Sequence, residues 1–460
     1  MSALWTSAEL AAATGGTASG AFEASGVAFD SREIGPGDLF VAMKGEATDG
    51  HLFLDQAIDA GAAGAIVSQE VTHPHVRVAD TGEALNALGR ASRARTGAKV
   101  IGVTGSAGKT GTKEALFAAL DRAVPGRVHR SVKSYNNHTG VPLSLARMPR
   151  ESRYAVLEMG MNHAGELAQL TRLVRPHVAI VTTIASAHRE FFASEEAIAD
   201  AKGEIFQGLE EGGTAIVPYD SPHRDRLIAA AREYAGRILT FGLGEGADVR
   251  ASYVIRGPKG GTMATATLPG AQLSFTIALP GEHWVGNALA VLAAVHAAGG
   301  DLALAGLALA DLGGLKGRGE RRRVPAGGGE ALLIDESYNA NPASMAATLK
   351  VLGAEEVPGR RIAVLGAMRE LGEQSADFHA ALAEPVEAAK VDYAILVGAE
   401  MEALAKALGR TVELAHVPDA ASAIKIARKA IGPGDAVLVK GSNSIGLAAV
   451  VEALAGGTSR

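Results

Sequence analysis

"VIGVTGSAGKTGTKEALF", residues 100–117, decides how the rest of the chain is read. "VIGV" has the unbroken apolar pattern of a buried strand, and "KEALFAALDRA" reads as a helix. Between them lies "TGSAGKT". Amides at a helix start carry partial positive charge and point outward. Gly105 and Gly108 let a phosphate approach them, Ser106, Ala107 and Gly111 complete the cradle, Lys109 supplies charge and Thr110 a hydroxyl for a metal ion. The usual phosphate-loop pattern wants a glycine where Val103 stands. The context predicts a phosphate-binding loop nonetheless; the bland alternative is a glycine-rich turn without a ligand.

Working outward, strand ends near this loop are where ligands of a parallel sheet gather. "YAVLEMGMN" delivers Glu158, a candidate metal carboxylate, although a Glu at a strand end is often only a polar boundary. "AIVTTIASAHRE" delivers His188, whose plain alternative is a loop or capping histidine. In the helical "EEAIADAKGEIFQGLE", Ile198, Lys202, Ile205 and Leu209 share one face. Lys202 thus sits on an apolar stripe. Desolvation there would favour a neutral amine, which reacts with carbon dioxide to give an anionic carbamate; the competing reading is a stem that packs while its ammonium reaches water.

The 460 residues exceed what one hydrophobic core holds, so two or three domains are expected. A first block, 1–97, reads strand–helix–strand at "GDLFVAMKG", "LFLDQAIDAGAA" and "GAIVS", and ends near "RASRARTGAK", taken as a linker. A second, 98–314, holds the phosphate loop, short glycine-punctuated strands over 238–280 and the helix "NALAVLAAVHAAG". "GGLKGRGERRRVPAGGGE" reads as a hinge, its Arg321, Arg322 and Arg323 as solvated charge. The third, 315–460, alternates strands and helices, which implies a parallel sheet covered on both faces. The fold class is α/β.

With 47% hydrophobic and 20% charged residues the composition is that of an ordinary globular protein, and a formal charge of −6 argues against a broad nucleic-acid footprint. The absence of cysteine excludes disulfides, thiolate nucleophiles and cysteine–zinc sites. "MSALWTSAEL" lacks the pattern of a signal peptide, and the longest apolar stretch, which contains His296, is too short to span a bilayer. A cytoplasmic protein without membrane insertion is expected.

"TGSAGKT", "YNNHTGVPLSL", "LEMGMNHAGE", "AHREFFASEEAIADAKGEIF", "GNALAVLAAV", "DESYNANPASM" and "VKGSNS" occur in the order found in the Mur ligases of peptidoglycan synthesis, and the chain resembles that family over essentially its whole length. The family's own loop, Thr-Gly-x-x-Gly-Lys-Thr, accounts for Val103. Within it, "RIAVLGAMRELGEQSADFH" and "DESYNANP" are most similar to the branch joining D-Ala-D-Ala to a UDP-sugar tripeptide; the Asp-Asn-Pro-Arg motif typical of the sister that adds the third residue is absent.

The resemblance implies three domains: a smaller N-terminal α/β domain for the UDP-sugar, a central P-loop ATPase-type parallel sheet, and a C-terminal Rossmann-like sheet that closes over ATP and binds the dipeptide. It implies ATP and two Mg²⁺ ions, held by Thr110, Glu158, His188 and a carbamylated Lys202, with Lys109, His188 and Lys202 catalytic. Asn287, Arg318, Asp335 and Asn339 match nucleotide contacts. Ser31, Arg32, Lys44 and Gly45, with Asp49 and Gly50 nearby, match the uridine end, and Asn136 and Asn137 a pair near the γ-phosphate. Tyr338 lies in the same motif as Asn339, and Lys440, Gly441 and Ser442 match a last-strand loop. A monomer without nucleic-acid partners is expected. The chain departs from the family pattern at Ala367, where Asp is usual, and at Arg189–Phe192, where Leu-Glu and a glycine-rich turn are usual. Rival readings are a sister ligase adding a single amino acid, a nucleotide-dependent regulatory protein, and a binding-only partner in wall assembly; the guanine-binding Asn-Lys-x-Asp motif is absent.

Overall fold

The computed structural model describes residues 3–45, 48–186, 189–257 and 261–456. Its main sheets follow one another along the chain. The N-terminal one has five strands, in spatial order Thr17–Ala18, His75–Arg77, Gly64–Val67, Asp38–Val41 and Gly26–Ala28. Its last four are parallel to one another, and the first pairs antiparallel.

The central sheet has nine strands. Lys99–Thr104 lies between Tyr154–Glu158 and Val178–Val181, parallel to both, with Val128–Arg130 beyond the former. Thr214–Pro218, Arg237–Gly242 and Val249–Arg256 continue in parallel on the other side, and Thr262–Leu268 and Ala271–Ile277 close the sheet as antiparallel strands. Tyr154–Glu158, Val178–Val181 and Thr214–Pro218 are buried at every position, because helices cover both faces. One cover is Glu282–Ala297, whose Trp284, Val285 and unbroken run Ala288–Val295 are all buried. A fully buried Leu or Val is worth about 1.5–3 kcal/mol, so this helix is a main contributor to the core.

The C-terminal sheet has six strands. Gly329–Glu336, Ala436–Lys440, Arg361–Gly366, Tyr393–Val397 and Glu413–Val417 are parallel, and Glu320–Ala326 pairs antiparallel with the first. That pairing corrects the hinge reading over 320–330, where the arginine run lies in an edge strand. Arg321 pairs with Glu355 at 2.6 Å and Arg322 with Glu320 at 2.7 Å, so two of the three are not free solvated charge. The linker reading of "RASRARTGAK" is corrected as well. The helix Thr81–Ala94 runs into it, and Arg93 is buried, donating to the carbonyls of Val174 (2.8 Å) and Arg175 (2.7 Å) and to Glu210 (2.9 Å). Arg95 stacks on the Trp5 ring, 3.6 Å from its centroid. No helix among the described residues is long and apolar enough to cross a membrane.

Candidate active site

The strand Lys99–Thr104 leads through the loop into the helix Lys109–Ala123, as its apolar run and helix formers dictate. Two glycines are structurally required. Gly105 has φ +150°, and a Cβ there would lie 1.9 Å from Thr182 Oγ1; Gly108 has φ +83°, and a Cβ would lie 2.7 Å from Asn287 Oδ1. Thr182 and Ser106 staple the loop to the neighbouring strand end: Thr182 Oγ1 donates to Ala107 O at 2.5 Å, and the Ser106 amide to Thr183 O at 2.8 Å. Lys109 Nζ donates to Gly105 O at 2.6 Å. Burial holds its ammonium below the usual lysine range, partly opposed by Glu158.

Glu158 ends its strand fully buried. Its Oε2 accepts from Thr110 Oγ1 at 2.9 Å and its Oε1 from Asn136 Nδ2 at 2.7 Å. Lys113, one helical turn past Lys109 and completely buried, lies 3.7 Å from the same carboxylate and donates to the carbonyls of Ser131 (3.0 Å) and Lys133 (2.6 Å). Sequence reading missed Lys113; its i+4 spacing from Lys109 was the available signal. Asn137 does not reach the carboxylate: its Oδ1 accepts from the amides of Thr139 and Gly140 at 3.3 and 2.9 Å, turning the chain into the next helix.

Lys202 is 0% exposed, and its Nζ has no hydrogen-bond partner among the described residues. The snorkelling alternative is therefore excluded. Burial, with the Lys109 charge adding to it, pushes the amine far below the usual lysine range. His188 lies outside the described residues, among which no group of three or more His, Cys, Asp or Glu is arranged around one point.

A cleft of about 1840 Å³ runs between the central and C-terminal sheets. The loop residues Ser106–Gly111, Asn136, Glu158 and Asn287 line one side; Arg318, Asn339 and Lys440 line the other. Asn341 Nδ2 reaches across to Ser106 O at 3.1 Å, and Arg318 Nη2 to Ser134 Oγ at 3.5 Å. Arg318 stacks on Tyr338, 4.2 Å from its ring centroid. Asp335 stands one residue out of phase with the cleft. Its carboxylate points beneath it, accepting from the amides of Gly317 (2.8 Å) and Ser337 (3.0 Å) and so bracing the turn that carries Arg318, whereas Glu336 lines the cleft. Burial raises Glu336 above the usual carboxylate range, and its neighbour Lys440, 3.6 Å away, is lowered by burial.

Ser31, Arg32, Lys44 and Gly45 do not line this cleft. Ser31 is buried with Oγ 3.1 Å from Gln56 Oε1, exposed Arg32 pairs with Asp30 at 2.6 Å, and the Lys44–Asp49 bridge closes a turn in which the Gly45 amide donates to Thr48 O at 2.9 Å. The Arg189–Phe192 segment touches the C-terminal unit: Arg189 Nη2 donates to Gln374 at 3.0 Å and the Glu190 amide to Glu370 O at 3.1 Å. Ala367 is fully buried; the next amide, Met368, donates to Nε2 of buried His379 at 2.9 Å.

Three family models match the chain: "Mur ligase family, catalytic domain" over 23–122, "Mur ligase middle domain" over 103–295, and "Mur ligase, glutamate ligase domain" over 317–443. The UDP-N-acetylmuramoyl-tripeptide–D-alanyl-D-alanine ligase of Escherichia coli K12 is 36% identical over 432 residues, covering 93% of each chain. That of Bacillus subtilis 168 is 34% identical over 441 residues, again covering 93% of each. A crystal structure of MurF from Acinetobacter baumannii superposes with a TM-score of 0.84 at 32% identity, over 98% of this chain and 99% of that one. MurF from Thermotoga maritima in complex with ADP gives 0.77 at 28% identity, over 94% and 97%. The chain belongs to the Mur ligase family.

Proposed function

We propose that this chain is an ATP-dependent ligase that joins D-alanyl-D-alanine to the terminal carboxylate of a UDP-N-acetylmuramoyl-tripeptide, a step of peptidoglycan precursor synthesis. The observation that carries this reading is the cleft in which Ser106–Thr110 and Glu158 face Arg318 and Asn339. The likeness to the Escherichia coli and Bacillus subtilis ligases over nearly the whole chain supports the choice of substrates. The three units, 1–97, 98–314 and 315–460, divide the work into UDP-sugar binding, ATP binding and closure with dipeptide binding.

The loop amides and Lys109 hold the β- and γ-phosphates. The γ-phosphoryl group passes to a carboxylate oxygen of the tripeptide and ADP departs. The dipeptide amine then attacks the acyl carbon, loses a proton, and phosphate leaves as the amide forms. Phosphoryl transfer depends on positioning and charge neutralisation. Thr110 Oγ1 and Glu158 are hard oxygen donors, few in number, which suits Mg²⁺ because it keeps waters and phosphate oxygens in its shell. Bound there, it neutralises the charge of the two anions brought together. The Lys202 amine, without a hydrogen-bond partner among the described residues, fits conversion to a carbamate, which would give the second ion an anionic oxygen. His188 is the remaining ligand of this reading. Arg318, Asn339 and Asn287 flank the nucleotide, Asn136 the reacting phosphate, and Ser31, Arg32, Lys44 and Gly45 the uridine diphosphate. Closure of the C-terminal unit excludes water from the acyl phosphate. One chain carries all of these groups, so a monomer suffices; a cytoplasmic location belongs to the same reading.

The test is phosphate release from ATP and UDP-sugar tripeptide with and without D-Ala-D-Ala. Stimulation by the dipeptide is expected. Release indifferent to any amine, or stimulation only by a single amino acid, would overturn the assignment.

A further inference from the structure

Glu33, next to Ser31 and Arg32 in the N-terminal unit, is one of the points at which that unit grips the central one, beside Arg93 and the Trp5–Ala146 bond. Its Oε1 accepts from Tyr135 Oη at 2.8 Å and pairs with Lys133 Nζ. Burial pushes this carboxyl up, but the bonds from Lys133 and Tyr135 outweigh it and hold it below the usual range. Lys133 also feels the charge of Asp30, the partner of Arg32. One charge cluster thus spans both units.

The gripped segment, 131–137, packs Tyr135 on Phe29 of the N-terminal unit and also reaches the ATP site. Lys113 donates to the carbonyls of Ser131 and Lys133 from below. Ser134 Oγ lies 3.5 Å from both Thr110 Oγ1 and Arg318 Nη2, and Asn136 holds Glu158. Lys133 itself sits at φ +53°, a left-handed conformation that a lysine adopts only when its surroundings impose it. The strap is strained at Lys133, tethered to Glu33 at one end, and meets Glu158, Thr110 and Arg318 at the other.

Resting on the reading given under Proposed function, we propose that Glu33 is a positioning residue: through Lys133 and Tyr135 it holds the 131–137 strap, so that a UDP-sugar bound beside Arg32 changes the affinity of the ATP site. An anionic diphosphate arriving at Arg32 competes for Lys133 and Arg32 alike, and the strap passes the change to Asn136 and Ser134. Linkage makes the effect reciprocal.

Calorimetric titration tests it. The affinity of a non-hydrolysable ATP analogue with Mg²⁺ is measured with and without saturating UDP-sugar tripeptide, for the unaltered chain, Glu33→Gln and Lys133→Met. The expected ratio of the two affinities is at least about 5-fold in the unaltered chain and within twofold of unity in both variants. Without UDP-sugar, analogue affinity in both variants shifts to the value that the unaltered chain shows with UDP-sugar bound, and an unchanged denaturant midpoint shows that the variants are folded. A ratio near unity in the unaltered chain, or the full ratio in either variant, overturns the proposal. Failure of the UDP-sugar to bind the unaltered chain at all is a different result and defeats the reading of the N-terminal unit instead.

Discussion

Thr110 Oγ1 donates to Glu158 Oε2 at 2.9 Å, tying the first turn of the loop helix to the end of the neighbouring strand. The pair is a hydroxyl and a carboxylate, with Lys113 Nζ 3.7 Å from the carboxylate. Replacement Glu158→Gln keeps an acceptor for Thr110 and removes the charge. It should raise the Mg²⁺ concentration needed for half-maximal phosphate release by at least about 10-fold, while metal-free nucleotide binding measured by calorimetry changes little.

Lys202 should separate stability from activity. A buried amine without a hydrogen-bond partner destabilises the fold, so Lys202→Met is expected to be at least as stable as the parent by denaturant titration and yet inactive. The linkage has a definite sign. The folded amine sits far below 10.5 and the unfolded one near it, so between those values the unfolded chain binds the extra proton and stability rises with pH. The variant should lack that rise. In Lys202→Ala, short carboxylic acids should restore part of the activity; inactivity both with and without them would remove the carbamate reading.

Much of this site was legible in residues 100–117, because a phosphate loop constrains glycines, charge and hydroxyl locally. Lys202 was legible too, since helical spacing placed it among Ile198 and Ile205, and both are buried as expected. What failed were segments whose structure depends on distant partners. The charged run 321–323 carries no apolar signal of a strand, yet its backbone pairs with Gly329–Glu336 and its charges with Glu355 and Glu320. Arg93 looked like linker charge because its carbonyl partners, Val174 and Arg175, lie far along the chain. Asp335 and Glu336 differ only by strand parity, which a motif match does not resolve.

Acid should destabilise the fold through its histidines. Burial lowers His129, His177 and His283 to about 4. Their depressed values mean that the unfolded chain gains protons first, so stability falls as pH drops from about 6.5 toward 4. His177 shows why: its Nδ1 accepts the Val100 amide at 3.0 Å, which an imidazolium cannot do. Denaturant midpoints at pH 7.5 and 5 should differ, and His177→Asn should narrow the gap.

Arg189→Ala removes the bond to Gln374 of the C-terminal unit. If this segment helps to keep the C-terminal unit closed, the variant leaks: phosphate release without D-Ala-D-Ala should rise relative to amide formation by roughly severalfold, since open sites expose the acyl phosphate to water. Stoichiometry of phosphate to product measures it.

The most direct measurement is a crystal structure with a non-hydrolysable ATP analogue and Mg²⁺. The β- and γ-phosphates should lie within hydrogen-bond distance of the Gly108, Lys109 and Thr110 amides, with Lys109 Nζ released from Gly105 O to meet them and the metal between Thr110 and Glu158. A triphosphate bound elsewhere in the cleft, with the Gly105–Thr110 loop empty, would contradict the account.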